Sequence, residues 1–197
     1  MPHMRISGGI WRGRVLRAPP GRVRPTQDMV RQALFSMLGG RVAGAAFLDL
    51  FAGSGAVGLE AASRGAGSVC WVEADRRAGR VLRENVAAFF GAPGKPGSGP
   101  RECAASVVSA DAFRFLAARE GARFDVVFAD PPYELAGDRA WIERLLGAIA
   151  PVSRIGGLCV IEHSVRGEPP EAAGWLSLRR RTYGETALSF LERADAK

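Results

Sequence analysis

The chain has 197 residues, of which 47% are hydrophobic and 24% charged, so it is long enough to bury one sizeable core. This composition excludes a disordered or fibrous protein. No apolar run approaches the ~18 residues of a membrane span, and the first residues lack a secretory signal, so the sequence predicts a soluble cytoplasmic protein. The three cysteines form no CxxC pair, which favours neither a disulfide framework nor a zinc site, and we predict no metal.

The formal net charge of +7 is concentrated at one end of the chain. Residues 1–41 carry eight arginines and a single acidic residue, Asp28, whereas the remainder is balanced between 19 basic and 19 acidic residues. Clustered guanidinium groups suit phosphate, because each donates in a planar fork and stays charged at physiological pH. The segment therefore predicts a polyanion contact, with a merely solvated basic face as the alternative.

The basic segment is predicted to form a hairpin followed by a helix. Met4–Leu16 indicates two short strands around a Gly8-Gly9 turn. Thr26 predicts the N-cap, and Asp28 the first turn, of a helix that runs to about Leu38. We therefore divide the chain into an N-terminal extension over residues 1–45 and a second domain over residues 46–197.

From Ala46 onward, short apolar runs alternate with helical segments, which is typical of a mostly parallel, doubly wound α/β sheet. A final pair of alternating stretches predicts an antiparallel hairpin at one edge. Gly91–Pro100, rich in glycine and proline, predicts a surface loop. The predicted strands are Phe47–Phe51, Ser68–Glu73, Ser106–Ala110, Phe124–Ala129, Leu158–Glu162, Leu176–Tyr183 and Ala187–Glu192. The predicted helices are Ala56–Arg64, Arg76–Phe90, Ala112–Arg119 and Asp138–Ala148.

A glycine loop follows the first of these strands. Gly53, Gly55 and Gly58 fit the pattern GxGxxG, and Glu73 stands twenty residues after Gly53, where a carboxylate can accept both ribose hydroxyls. A dinucleotide and S-adenosylmethionine both satisfy this pattern. Asp49 favours S-adenosylmethionine, because a carboxylate just before the loop suits an ammonium and a sulfonium better than a pyrophosphate. A simple cap of the turn is the alternative reading of Asp49.

Two further strand ends carry acids. Asp111 follows the third strand, where it can accept from an adenine amino group or cap the next helix. Asp130-Pro131-Pro132-Tyr133 follows the fourth strand. An aromatic amino group is a poor nucleophile, and a carboxylate with a backbone carbonyl can hold it so that its lone pair points at a methyl group. The prolines stiffen the loop, and the tyrosine can stack on the base.

Here a resemblance becomes specific. Asp130-Pro131-Pro132-Tyr133 resembles the catalytic motif of the amino-methyltransferases, and Arg5 to about Arg193 resembles the bacterial RsmD family, which methylates N2 of a single guanine in small-subunit ribosomal RNA. The matching stretches are 5–14, 24–35, 48–61 and the 130–133 loop. The arginine-rich opening selects this family among amino-methyltransferases. The fifth strand ends in Glu162-His163-Ser164, where the resemblance predicts a more acidic run. We expect a solvated strand-end histidine there, with a contact to substrate as the alternative.

The resemblance implies a Rossmann-like class I methyltransferase fold with S-adenosylmethionine as cofactor and small-subunit ribosomal RNA, free or in an assembling subunit, as partner of a monomer. The predicted catalytic residues are Asp130, Pro131, Pro132 and Tyr133. The predicted cofactor contacts are Asp49, Phe51, Gly53, Ser54, Gly55, Glu73, Asp111 and Ala112. The predicted RNA contacts are Arg5, Trp11, Arg12, Arg14, Arg24, Thr26 and Arg31, with packing inside the domain as the equal alternative for Trp11.

Three other functions stay open at this point. A DNA adenine methyltransferase shares the catalytic residues, although it usually needs a further domain to read DNA sequence. A non-catalytic RNA-binding module could retain the fold, and an oxidoreductase could use the glycine loop for a dinucleotide.

Overall fold

A computed structural model describes residues 4–18, 25–91, 103–119, 121, 124–132, 135–167 and 170–195, with the side chains of residues 25–27 outside that description. The strands are β1 (Met4–Arg5), β2 (Val15–Leu16), β3 (Ala46–Leu50), β4 (Ser68–Glu73), β5 (Ala104–Ser109), β6 (Phe124–Ala129), β7 (Ser153–Ser164), β8 (Trp175–Tyr183) and β9 (Thr186–Arg193). The α-helices are α1 (Pro25–Leu38), α2 (Ala56–Ser63), α3 (Arg76–Phe90), α4 (Ala112–Ala117) and α5 (Arg139–Ile149).

Seven of the described strands form one sheet in the order β5-β4-β3-β6-β7-β9-β8. The first five strands of that order are parallel, whereas β9 is antiparallel to both β7 and β8. The chain enters this sheet at β3, adds β4 and β5 on one side, and then returns to place β6 on the other side of β3. This reversal opens a crevice at the carboxyl ends of β3 and β6, where ligands bind in open α/β sheets. The predicted fold class, including the C-terminal antiparallel hairpin, is confirmed.

Each face of the sheet buries one apolar cluster. Successive side chains of β6 contribute to the two clusters in turn. Val126 and Phe128 face α1, α2 and α3, whereas Val127 and Ala129 face α4 and α5. Strands β3, β4 and β6 are covered on both faces and have continuous apolar sequences. The ends of these strands and of the exposed edge strand β5 lie within two residues of the prediction. Strand β7 begins earlier than predicted, at Ser153, since a register shift at Phe124/Val126 accommodates its glycines.

The N-terminal hairpin differs from the expected tight turn at Gly8-Gly9. Strands β1 and β2 pair Met4 with Leu16, so the connection between them is a wide loop centred near Ile10. The loop docks on the end of α2, where Ile10 donates its N–H to the Ser63 carbonyl (2.8 Å) and Ser63 Oγ donates to the Gly8 carbonyl (2.7 Å). Local bonds persist beside them, since the Ile6 N–H donates to the Arg14 carbonyl (3.0 Å) and the Gly13 N–H to the Ile6 carbonyl (2.8 Å). The sequence pattern missed the bonds to Ser63 because they join residues more than 50 positions apart.

A buried carboxylate ties the N-terminal segment to α2. Glu60, on α2, is 0% exposed and accepts bonds from the backbone N–H and the hydroxyl of Ser7. Arg31 Nε of α1 donates to Glu60 Oε2 (2.8 Å), and Arg64 Nη2 donates to Glu60 Oε1 (2.8 Å). Burial alone would raise the pKa of Glu60, but these hydrogen bonds outweigh burial and lower it. The apolar side chains of the N-terminal segment pack in the same cluster as those of β3 and β6. The domain boundary predicted after residue 45 stays a prediction.

Helix α1 begins at Pro25, a residue favoured in the first turn because its ring fixes φ and it has no N–H to satisfy. Thr26 therefore lies inside the helix rather than at the predicted N-cap. The helix ends at Leu38, as predicted, and is followed by Gly39 with φ of 52°. The predicted loop Gly91–Pro100 lies, apart from Gly91, outside the described residues. No helix in the described part of the chain is long and apolar enough to cross a membrane.

Candidate active site

Five carboxylates stand at or near the carboxyl ends of five adjacent parallel strands. In sheet order they are Asp111 after β5, Glu73 at the end of β4, Asp49 in β3, Asp130 after β6 and Glu162 in β7. The charges of Asp130 and Glu73 both act on Asp49, and the charge of Asp130 acts on Glu162. A chain with a formal net charge of +7 therefore presents an acidic row at the switch-point crevice.

Asp49 is buried at 1% exposure and accepts the Gly58 N–H at Oδ2 (2.9 Å). Burial raises the pKa of Asp49 well above its ordinary value, and the neighbouring carboxylates add to that rise. Gly58 lies in the first turn of α2, so this N–H is one that a pyrophosphate at the helix N-terminus would use. The predicted cap of the turn is present, and a cation beside Asp49 would offset the cost of its buried charge.

The glycine loop has the backbone geometry of a ligand cradle. Phe51 (φ 62°), Gly53 (φ 56°) and Gly55 (φ 81°) all lie in the left-handed region. A Cβ on Gly53 would meet no other heavy atom within 4 Å, so the space above the loop is open. On Gly55 and Gly58, in contrast, a Cβ would strike Leu82 (2.4 Å to Cδ1) and Trp71 (2.2 Å to Nε1). The first glycine leaves room for a ligand, and the other two let α2 and α3 approach the sheet.

Glu73 and Asp111 both support backbone turns at the crevice. Glu73 is half-buried, and its two carboxylate oxygens accept the N–H groups of Gly53 (2.7 Å) and Asp75 (2.7 Å). Each oxygen has a further lone pair, which leaves acceptor capacity for hydroxyl groups. Asp111 is exposed and caps α4 by accepting the Arg114 N–H (3.1 Å), while Ala112 is buried behind it. Ser54 is also buried, and its hydroxyl contacts Met4 Sδ at 3.7 Å.

The loop after β6 places an acid at the crevice and is held by backbone hydrogen bonds to the turn that follows. Asp130 is exposed, Pro131 is buried, and Pro132 is exposed. The Pro132 carbonyl accepts the N–H groups of Leu135 (2.8 Å) and Ala136 (3.0 Å), which fixes the start of the following turn. Tyr133 lies outside the described residues.

Glu162 is a site residue that the strand pattern did not single out. It is half-buried in β7, one position after Ile161, which pairs with Ala129 at the end of β6. Burial, and next the charge of Asp130, raise the pKa of Glu162 to about 8. The signal that could have found it is an acid near the end of an apolar strand. The neighbouring His163 is buried, with Nε2 2.8 Å from Ser189 Oγ, so the expectation of a solvated histidine is wrong.

Two of the predicted RNA contacts require correction. Trp11 is only 3% exposed, and its ring meets those of Phe89 and Phe90 edge-on at centroid distances of 5.0 and 5.2 Å. Arg31 is 4% exposed, because its guanidinium group is held by Glu60 and by Asp28 (2.9 Å). Both side chains serve the packing of the N-terminal segment, and neither offers a surface to RNA.

The other predicted RNA contacts differ in their exposure. Arg5 and Arg12 are exposed, whereas Arg14 is half-buried over the Phe89 ring (4.1 Å to the centroid) and bonds the Ala88 carbonyl (2.8 Å). Arg24 and the side chain of Thr26 lie outside the described residues.

Helix α3 carries a basic surface that the count of charges by sequence segment did not reveal. The N-terminal chain runs along this helix, with the Arg17 N–H bonded to Asn85 Oδ1 (3.0 Å) and its guanidinium paired with Glu84 (2.8 Å). Toward the crevice, the first two turns of α3 carry three exposed arginines, Arg76, Arg77 and Arg80. These arginines lie in the part of the chain whose charge is balanced overall, and the N-terminal segment packs on the other end of the same helix, at Glu84, Asn85 and Ala88.

The parallel sheet, the switch-point crevice and the glycine cradle together define the class I methyltransferase fold. Ribosomal RNA small subunit methyltransferase D of Escherichia coli K12 is 36% identical over 195 residues, covering 96% of this chain and 90% of its own. The structure of yhhF from Escherichia coli superposes with a TM-score of 0.81 at 35% identity and full coverage of both chains. A hypothetical protein of Thermus thermophilus gives a TM-score of 0.77 at 37% identity, covering 96% of this chain and 99% of its own.

The family model described as Conserved hypothetical protein 95 matches residues 4–192, and the chain belongs to that family. This match and the Escherichia coli relative confirm the resemblance to the RsmD family.

Proposed function

We propose that this protein transfers a methyl group from S-adenosylmethionine to the N2 amino group of a guanine in small-subunit ribosomal RNA. The observation that carries the proposal is the adjacency of two sites at one crevice. The open cradle over Gly53 follows β3, and Asp130 leaves the neighbouring strand β6 close enough for its charge to act on Asp49. The similarity to ribosomal RNA small subunit methyltransferase D of Escherichia coli supports ribosomal RNA as the substrate.

The residues of the cradle fit S-adenosylmethionine better than a dinucleotide. Asp49 already occupies the Gly58 N–H that a pyrophosphate would need, and its buried charge suits a cationic ligand. Glu73 would accept the ribose hydroxyls, and Asp111 would border the adenine. Phe51, Ser54, Gly55 and Ala112 would complete the pocket. The cofactor supplies an electrophilic methyl group on a sulfonium; every other requirement falls on the chain.

Asp130 meets the main requirement, which is to make a poor nucleophile attack. Its carboxylate would accept one amino N–H of the base and take the proton that leaves after transfer. The Pro132 carbonyl already accepts two N–H groups, so the Pro131 carbonyl is the acceptor for the second amino N–H. Held in this way, the nitrogen directs its lone pair at the methyl group, and positioning supplies much of the rate. Tyr133 would stack on the base.

The basic surfaces would hold the RNA backbone around this crevice. Arg5 and Arg12 of the N-terminal segment are exposed, and the arginines of α3 extend the positive surface toward the acidic row. Arg14 and Arg24 would add to this contact. Phosphate contacts fix orientation but carry no base identity, so target choice depends on the crevice and on RNA shape. A target inside a helix must also be extruded from its stack. A substrate of this kind places the reaction in the cytoplasm.

The test is methyl transfer from labelled S-adenosylmethionine to naked small-subunit ribosomal RNA, to small ribosomal subunits and to duplex DNA. We expect N2-methylguanosine from one or both RNA substrates, identified by mass spectrometry of the nucleosides. Asp130→Ala should retain cofactor binding and lose at least ~100-fold in turnover, whereas Asp195→Ala, an exposed acid outside the crevice, should remain active. N6-methyladenine in DNA, or no product from either RNA, would refute the proposal.

A further inference from the structure

Glu162 lies beside Asp130 at the crevice, and the proposed chemistry leaves it without a role. In the β6–β7 register Ala129 lies opposite Ile161, so Asp130 and Glu162 follow each other across two paired strands. Neighbouring strands lie about 4.8 Å apart, which brings both carboxyl groups within reach of one base edge.

Strand alternation puts these two acids on the same face of the sheet as Asp49. Phe128 and Val160, two residues before Asp130 and Glu162, both belong to the apolar cluster under α1, α2 and α3. Phe47, two residues before Asp49, belongs to the same cluster. Glu162 is half-buried, and the Asp130 charge adds to burial in raising its pKa to about 8. The pair therefore carries an electrostatic cost that a ligand with two adjacent N–H donors would offset.

We infer that Glu162 reads the identity of the target base, by accepting the N1–H of guanine beside the N2 amino group that Asp130 holds. The inference rests on the proposed function and names a specificity residue of the same site. Guanine presents the N1–H and the 2-amino group side by side on one edge. The free protein holds the Glu162 pKa at about 8, so the base itself must favour the ionised form. Guanine N1–H stabilises that carboxylate, whereas adenine, with a lone pair at N1 and no 2-amino group, would repel it and leave a polar group unpaired.

The experiment compares guanine with 2-aminopurine at the target position of the RNA substrate that supports turnover. 2-Aminopurine keeps the 2-amino group but has an acceptor at N1 and lacks the 6-oxo group. The contact assigned to Glu162 is therefore isolated by the change of the guanine preference between the wild type and the Glu162 variants. The quantity measured is the ratio of kcat/KM for guanine to that for 2-aminopurine, in the wild type, Glu162→Gln and Glu162→Ala. Glu185→Gln is the matched control, since Glu185 is exposed in the β8–β9 turn. Melting temperatures verify that each variant is folded.

We expect the wild type to prefer guanine, and both Glu162 variants to lower that ratio by about 10- to 100-fold, the range of one hydrogen bond to a charged group. The Glu185→Gln ratio should stay at the wild-type value. A ratio unchanged in folded Glu162 variants, even with a lower overall rate, would overturn the inference and indicate a general electrostatic or proton-transfer role. Absence of N2-methylguanosine with the wild-type protein would overturn the proposed function, and this inference with it.

Discussion

Replacement of Glu60 by glutamine is expected to destabilise the protein and to loosen the N-terminal segment. Glu60 is fully buried on α2 and receives bonds from Ser7, Arg31 and Arg64, which belong to three different parts of the chain. Glutamine keeps the shape of the side chain but removes the charge that both guanidinium groups face. Arg31, at 4% exposure, then retains only Asp28 as a charged partner.

The magnitude follows from that burial. Removal of one partner from a buried ion pair costs about 3–5 kcal/mol, because the remaining charge stays desolvated. Asp28 and the partial exposure of Arg64 lessen the loss, so we expect about 3 kcal/mol. For a chain of this length, that corresponds to a fall in Tm of roughly 6–12 °C.

Thermal unfolding at pH 7 measures this effect, with Glu143→Gln as the control. Glu143 pairs with Arg139 on the exposed face of α5, where such a pair contributes about 0.3–0.5 kcal/mol. Because the folded protein lowers the pKa of Glu60 from 4.5, its stabilisation is present above that pH and is lost as the pH falls through the folded pKa. The difference between variant and wild type should therefore shrink in acid. A Tm for Glu60→Gln within 2 °C of the control, a margin of about 1 kcal/mol, would refute this account of the network.

Three further predictions follow from single features of the structure. Trp11→Ala should lower stability by about 3–5 kcal/mol in urea unfolding, because the ring is buried. Arg12→Ala, at an exposed position, should leave stability unchanged and reduce the salt slope of RNA binding by about 1. An unstable Arg12→Ala or a stable Trp11→Ala would contradict this assignment. Asp49→Asn can still accept the Gly58 N–H but loses its charge, so calorimetry should show about 10- to 100-fold weaker S-adenosylmethionine binding with the fold intact, and equal binding would count against Asp49 as the cation partner. The folded protein raises the pKa of Glu162 from 4.5 to about 8, so Glu162 retains a proton that the unfolded chain has released, and stability should fall as pH rises between those values. Glu162→Gln should flatten this dependence of stability on pH, measured by urea unfolding at pH 5, 7 and 9. An identical dependence in the variant would exclude Glu162 as its source.

Much of the site could be predicted because its residues lie at the ends of recognisable elements. Asp49, Glu73 and Asp130 each stand at or next to the end of a strand that is buried on both faces, and such strands are visible as apolar runs. Asp111 follows the edge strand β5, which is exposed or half-buried but still has a short apolar run. In a parallel sheet those ends share one edge, so their proximity follows from the fold class alone. Glu162 also lies near the end of an apolar run, but it was not singled out, because its place beside Asp130 depends on the pairing of β7 with β6.

The sequence by itself determined the alternation of strands and helices, the glycine loop, the acid-proline loop and the basic character of the N-terminal segment, since each depends on neighbouring residues and on composition. Only the tertiary structure decided which of those groups are available. It buries Trp11 against α3 and Arg31 against Glu60, a partner 29 residues away along the chain, and it packs the N-terminal segment on the helix that carries three exposed arginines. The physical reason is that burial and pairing arise from contacts between distant segments, whereas periodicity records only which face of each element is apolar.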